Sequence, residues 1–215
     1  MNADFTQISD QCHQTLDACD AAREKALEQT RILTRNAANT IRAVHRQDYT
    51  LAEELLQEAK SISDTLRVNL EPYPELYYSG YTQDSIKEYV EARLTLDLIQ
   101  GNPLPLPEEL HVEVSTYLRG LSETIGELRR KCLDILRHGY SEEAERLLEL
   151  MDDIYALLVS VDYPDAVTHG LRRQTDLVRG IIERTRADLT TSLRQECLQN
   201  AIVSLEKKLD ANDKE

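Results

Sequence analysis

Apolar residues recur along this chain at helical spacing, and no segment shows the period-two alternation of a half-buried strand. The first segment, from Asp4 to about Asp48, contains neither glycine nor proline. Its apolar positions Ile8, Cys12, Cys19, Ala26, Leu33, Ala37, Ile41 and Val44 predict one helix roughly 65 Å long at 1.5 Å per residue. A second helix is predicted from Thr50 as its N-cap, with Leu51, Leu55, Ala59, Ile62, Leu66 and Leu70 as its stripe and Pro72 and Pro74 as its end. A Pro- and Tyr-rich connector leads to a third helix, about Gln83 to Gln100. Gly101, Pro103, Pro105 and Pro107 then make a stiff, extended linker.

The fourth helix, about Glu108 to His138, has the clearest pattern. Val114, Leu118, Leu121, Ile125, Leu128 and Cys132 alternate four and three residues apart, as in a coiled-coil seam, and Gly139 is placed to stop it. Ser141 caps a fifth helix with the stripe Ala144, Leu147, Leu148, Met151, Ile154, Tyr155 and Leu158, ended by Pro164. The last helix runs from about Asp165 toward Leu209, and the polar stretch 210–215 reads as a frayed tail. The pattern predicts an all-α bundle of about six helices, the first and last very long, in a single domain over 1–209.

Composition narrows this reading. Seven glycines and six prolines are too few for the turns of a 215-residue β-sandwich or barrel. The 25 basic and 39 acidic residues give a net charge of −14, which argues against a surface-wide basic binder of nucleic acid but not against a local basic stripe. No run of eighteen apolar residues occurs, so no membrane-spanning helix is expected. The segment Met1 to Asp10 is polar and acidic, unlike a secretory signal. Cys12, Cys19, Cys132 and Cys197 form no CxxC pair. Cys12 and Cys19, a heptad apart, are expected on one buried helix face, and all four read as core thiols of a cytoplasmic protein.

Two carboxylate pairs carry candidate chemistry. Glu88 and Glu91 are three apart on the third helix, and Glu123 and Glu127 are four apart on the fourth. Both spacings put the pair on one helix face. If the two helices pack together, four carboxylates converge and offer hard oxygen ligands suited to Mg²⁺ or Mn²⁺. Gly120 and Gly126 beside the second pair permit close approach. With 39 acids in the chain, same-face pairs also arise by chance as solvated faces. Arg31, Arg35, Arg42 and Arg46 fall within a sector of roughly 60° on the first helix, a geometry suited to phosphates or to plain solvent exposure. A second row, Arg172, Arg179 and Arg186, either faces phosphate or pairs with acids of a neighbouring helix. Tyr73, Tyr77, Tyr78 and Tyr81 either stack on bases or cover a helix end, the second being the commoner role. Di-iron carboxylate chemistry is disfavoured, since Glu108–His111 is the lone Glu-x-x-His match. No Gly-rich phosphate loop, GxSxG or HExxH motif occurs.

Several segments together resemble the translin/TRAX family, over about Ala21 to Leu189. They are Thr30-Arg31-Ile32-Leu33-Thr34, Thr40-Ile41-Arg42-Ala43-Val44-His45-Arg46, Glu88-Tyr89-Val90-Glu91-Ala92, Tyr117-Leu118-Arg119-Gly120-Leu121, Gly126-Glu127-Leu128-Arg129-Arg130, and Leu171-Arg172-Arg173 with Asp176 and Ile182 to Leu189. The resemblance implies an all-α, translin-like fold of six or seven helices, a homo-oligomeric shell such as an octamer, and binding of single-stranded RNA or DNA. For TRAX-type members it implies a Mg²⁺-dependent endoribonuclease whose acidic site matches Glu88, Glu91, Glu123 and Glu127. The third of these is an aspartate in the TRAX motif. Glu123 keeps the charge and moves it by one methylene. The stretch Tyr78 to Gln83 lacks the Arg/His-rich segment of translin-type members, so the chain is more similar to TRAX.

The leading expectation is therefore a metal-dependent ribonuclease in which Glu88, Glu91, Glu123 and Glu127 hold Mg²⁺ or Mn²⁺ and Arg31, Arg35, Arg42 and Arg46 hold the RNA backbone. Its rivals are a non-catalytic translin-type binder of single strands and a helical scaffold that binds protein alone.

Overall fold

Hydrophobic stripes at helical period must be buried against other helices, and the chain does this in two places. The computed structural model describes residues 5–212. They form α1 (Phe5–His45), α2 (Tyr49–Asn69), α3 (Pro74–Tyr77), α4 (Gly80–Gln100), α5 (Pro107–Leu110), α6 (Val114–Leu136), α7 (Glu142–Ser160), α8 (Asp165–Thr168) and α9 (Leu171–Asn212), with no strand among the described residues. Six are long and three are single turns, so the all-α reading holds. No helix among the described residues is long and apolar enough to cross a membrane.

The chain divides into two compact units, one ending at Gly120 and the other starting at Leu121, with α6 passing unbroken from one to the other. In the first unit α1, α2 and α4 pack on one another around Leu33, Val44, Leu56, Leu66, Ile86 and Val90. Helix α4 is central: fifteen of its 21 residues are buried, which is why it shows no single apolar stripe. In the second unit α7 and α8 pack on α9, and the core holds Leu121, Ile125 and Leu128 of α6 with Leu147, Met151, Val178 and Ile182.

The boundaries differ from the sequence expectation where side chains and backbone compete for the same amides. Helix α2 is capped by Asp48, whose carboxylate accepts from Leu51 N at 3.2 Å, because Gln47 at φ 62° turns the chain sharply after α1. Thr50 is therefore inside the helix. The buried stripe of α2 is Ala52, Leu56, Ala59, Ser63, Leu66 and Leu70, rotated from the predicted one at its start. Leu51 is exposed because the small residues face α1 and α4 and let the helices approach. The expected fourth helix is broken at His111, φ 55°, into α5 and α6, and the expected last helix is broken at His169 and Gly170, φ 51° and 85°, into α8 and α9. Gly139, φ 112°, and Ser141, accepting from Glu143 N at 3.2 Å, end α6 and start α7 as the sequence indicates.

The core-cysteine expectation holds for Cys132 alone. Cys12 and Cys197 are exposed and Cys19 is half-buried, since no residue of α1 before Ala26 and none of α9 beyond Leu189 with a described side chain is buried. The backbone of α9 runs on to Asn212, and residues 213–215 of the expected tail lie outside the described residues.

Candidate functional site

The site is built where α4 meets the first turns of α6. Thr116 donates to Gln83 Oε1 at 2.6 Å, and Gln83 Nε2 donates to Tyr77 O at 2.9 Å, which ties the starts of α6 and α4 to α3. Arg119 pairs with Asp84 at 2.6 Å, and Tyr117 donates to Pro105 O at 2.9 Å. The helices touch at Gly120, where a Cβ would lie 2.7 Å from Val90 Cγ1 and 3.1 Å from Lys87 O. A larger residue would push the helices apart. Gly126, expected to play the same part, faces open space, and a Cβ there would meet nothing within 4 Å.

Val90 lies between Glu88 and Glu91, and Glu123 stands one turn beyond Gly120 on the same unbroken helix. One carboxylate oxygen each from Glu88, Glu91 and Glu123 lies within 4.8 Å of the others. Glu91 is buried, while Glu88 and Glu123 are half-buried. Glu127, the fourth expected member, follows Glu123 by one turn, is half-buried and pairs with Arg130 at 3.5 Å. It is not one of the three grouped carboxylates.

Two further residues shape this place, and the sequence reading assigned no role to either. Lys87 is buried, and its ammonium lies 3.1 Å from Glu88 Oε1. Gln174 of α9 donates to Glu123 Oε1 at 3.3 Å and lies 3.1 Å from Ser122 Oγ. Lys87 stood in plain view next to Glu88, but its burial is a tertiary fact. Gln174 is 51 residues from Glu123, and a lone glutamine in a polar helix carries no local signal.

The remaining candidates separate cleanly. Arg31, Arg35 and Arg42 of α1 and Arg46, in the turn just past its end, are all exposed, and among the described residues none forms an ion pair. Arg42 donates to Asn39. Arg42 and Arg46 flank a hollow of about 400 Å³ beside Asp48, Leu51 and Leu55. In the second row, Arg179 pairs with Glu183 at 3.1 Å and Arg186 with Asp152 of α7 at 2.6 Å. Tyr77 is buried and its ring meets Tyr78 edge-on at 5.1 Å, which covers the start of α4, while Tyr78 is exposed and donates to Glu113. Cysteine chemistry finds no support at Cys132, where burial pushes the thiol up to about 11. The other buried acid of α4, Asp97, is held by Arg93, which also binds Glu53 of α2 at 3.0 Å, and so serves the packing of two helices.

No family model matches the chain. An uncharacterised protein of Methanocaldococcus jannaschii is 35% identical over 179 residues, covering 81% of this chain and 78% of that protein. Among solved structures, AfC3PO superposes with a TM-score of 0.80 at 31% identity, over 86% of this chain and 97% of its own. The same protein in complex with duplex RNA gives 0.79, at 31% identity over 86% and 96%. The chain belongs to the translin/TRAX family. NeC3PO in its apo form gives 0.76 at 25% identity, over 89% of this chain and 98% of its own. In a translin/TRAX protein with this placement of side chains, α4 and α6 carry the acids and α1 carries the uncommitted arginines.

Proposed function

We propose that this translin/TRAX protein binds RNA through the α1 arginines and cleaves it as a metal-dependent endoribonuclease at Glu88, Glu91, Glu123 and Glu127. The observation that carries the reading is the grouping of three carboxylates at the α4–α6 approach. The donor set fits a hard divalent cation in chemistry: all oxygens, at least one from a buried side chain. A bound Mg²⁺ or Mn²⁺ would supply water activation and neutralise charge on a phosphodiester. The chain's own groups do the rest. Glu88, Glu91 and Glu123 present oxygen donors, Glu127 adds a fourth carboxylate one turn along α6, and one of the four accepts the proton of the attacking water. Gln174 orients Glu123 by donating to its carboxylate.

RNA as the ligand class is supported by the structure of AfC3PO with duplex RNA and by the exposed Arg31, Arg35 and Arg42 of α1 and Arg46 just past its end, none of them in an ion pair among the described residues. Single-stranded RNA is proposed as the substrate. Assembly into a shell of identical chains is proposed from the exposed apolar side chains on the outer stretches of the long helices: Phe5, Ile8 and Leu16 on α1, and Leu198, Ile202 and Leu205 on α9. An inward arginine face in such a shell reconciles RNA binding with a net charge of −14.

The test is cleavage of labelled single-stranded and duplex RNA with Mg²⁺, with Mn²⁺ and with EDTA, for the wild type and Glu127→Ala. The expected result is metal-dependent cleavage by the wild type, and retained RNA binding with at least about a hundredfold slower cleavage in the variant. Equal cleavage by both proteins would remove Glu127 from the site. A second reading, RNA binding without catalysis, is favoured by one observation: Glu88 already has a cationic partner in Lys87. It predicts RNA retention with no cleavage under any metal.

A further inference from the structure

We infer that Lys87 is a built-in counter-ion that competes with the divalent cation for the carboxylates and so sets the metal affinity of the site; this rests on the carboxylate reading above. The Lys87 side chain is only 10% exposed, yet it ends 3.1 Å from Glu88 Oε1. An ammonium this far out of water is retained only where negative charge surrounds it. Lys87 supplies that match in two directions. It pairs with Glu88, and it precedes buried Glu91 by four residues, which puts the two on one face of α4. Its own carbonyl packs against Gly120, so the backbone that carries the ammonium is held at the α4–α6 contact.

Three carboxylates grouped within 4.8 Å repel one another when no cation is present. Lys87 relieves part of that repulsion with a charge the protein cannot lose by dilution. The same charge opposes an incoming divalent ion, because Glu88 must exchange an ammonium partner for the metal and the ammonium stays nearby. Lys87 thereby keeps the acids gathered at low metal and raises the concentration at which metal enters. Its place is that of a positioning residue.

The experiment measures Mn²⁺ affinity of the full chain by electron paramagnetic resonance of the free ion, for the wild type, Lys87→Met, Lys87→Gln and Lys87→Arg. Removing a unit charge beside a divalent ion is expected to tighten binding by about tenfold or more in the Met and Gln variants, and to leave the charge-conserving Arg variant near the wild type. Two neutral variants of different polarity guard against a folding defect in one, and circular dichroism confirms helix content in each. Mn²⁺ bound equally by all four proteins, or more weakly by the Met and Gln variants, would overturn the role of Lys87 and leave the carboxylate site standing. No Mn²⁺ binding by any of the four would overturn the carboxylate reading itself.

Discussion

Two rows of arginine lie on the two longest helices, and the structure treats them differently. Arg31, Arg35 and Arg42 share one exposed face of α1, Arg46 follows in the turn past its end, and no acid among the described residues forms an ion pair with them. On α9, Arg172 is exposed with no ion pair among the described residues, but Arg179 and Arg186 are already committed, to Glu183 along the helix and to Asp152 across to α7. Spacing alone made both rows equal candidates for phosphate. The difference is in the neighbours: α1 packs its other face on α2 and α4 and leaves the arginine face free, whereas α9 packs beside α7, which brings an aspartate opposite Arg186. An arginine whose charge is satisfied internally must give up that partner before it can take a phosphate.

The comparison breaks first under substitution of the whole α1 row. Replacing Arg31, Arg35, Arg42 and Arg46 by alanine is expected to lower RNA affinity by at least about a hundredfold at 100 mM salt, measured by fluorescence anisotropy. Replacing the internally paired Arg179 and Arg186 should change it by less than about threefold. Equal losses would erase the distinction between the rows. A smaller effect sharpens it: the slope of log affinity against log salt should fall by about 0.7 for each α1 arginine removed on a single strand, and should be unaltered by the α9 substitutions. The smallest concerns stability. Asp152→Asn breaks a half-exposed pair between α7 and α9 and should cost about 1 kcal/mol or less, seen as a small drop in melting temperature with RNA affinity unchanged. A gain in RNA affinity in this variant would mean that Arg186 had been released to bind phosphate.

The course of the helices was largely legible. Glycine, proline and capping residues marked the ends of α4, α6 and α7, because those signals are local. Which face is buried was less legible. On α2 the leucines at 51 and 55 outweighed Ala52 and Ser63 by size, yet the small residues face the neighbouring helices. On the outer stretch of α1, Ile8 and Cys12 keep the helical period while no described residue covers them. Among the candidate acids, spacing and the family pattern pointed to Glu88, Glu91, Glu123 and Glu127; the first three are grouped, whereas Glu127, on the same helix face as Glu123 by spacing, is not among them. Neither pointed to Lys87 or Gln174, since their meaning lies in burial and in a contact between residues far apart in sequence.

The function proposed above is a division of labour in which the α1 arginines would hold RNA and the α4–α6 carboxylates would cut it. The most direct test places wild type, Glu91→Gln and the fourfold α1 variant on one labelled single-stranded RNA with Mg²⁺, and reads binding and cleavage in the same samples. The wild type is expected to bind and cut, Glu91→Gln to bind with wild-type affinity and not cut, and the fourfold arginine variant to do neither. Full cleavage by Glu91→Gln, or full binding by the α1 variant, would contradict it.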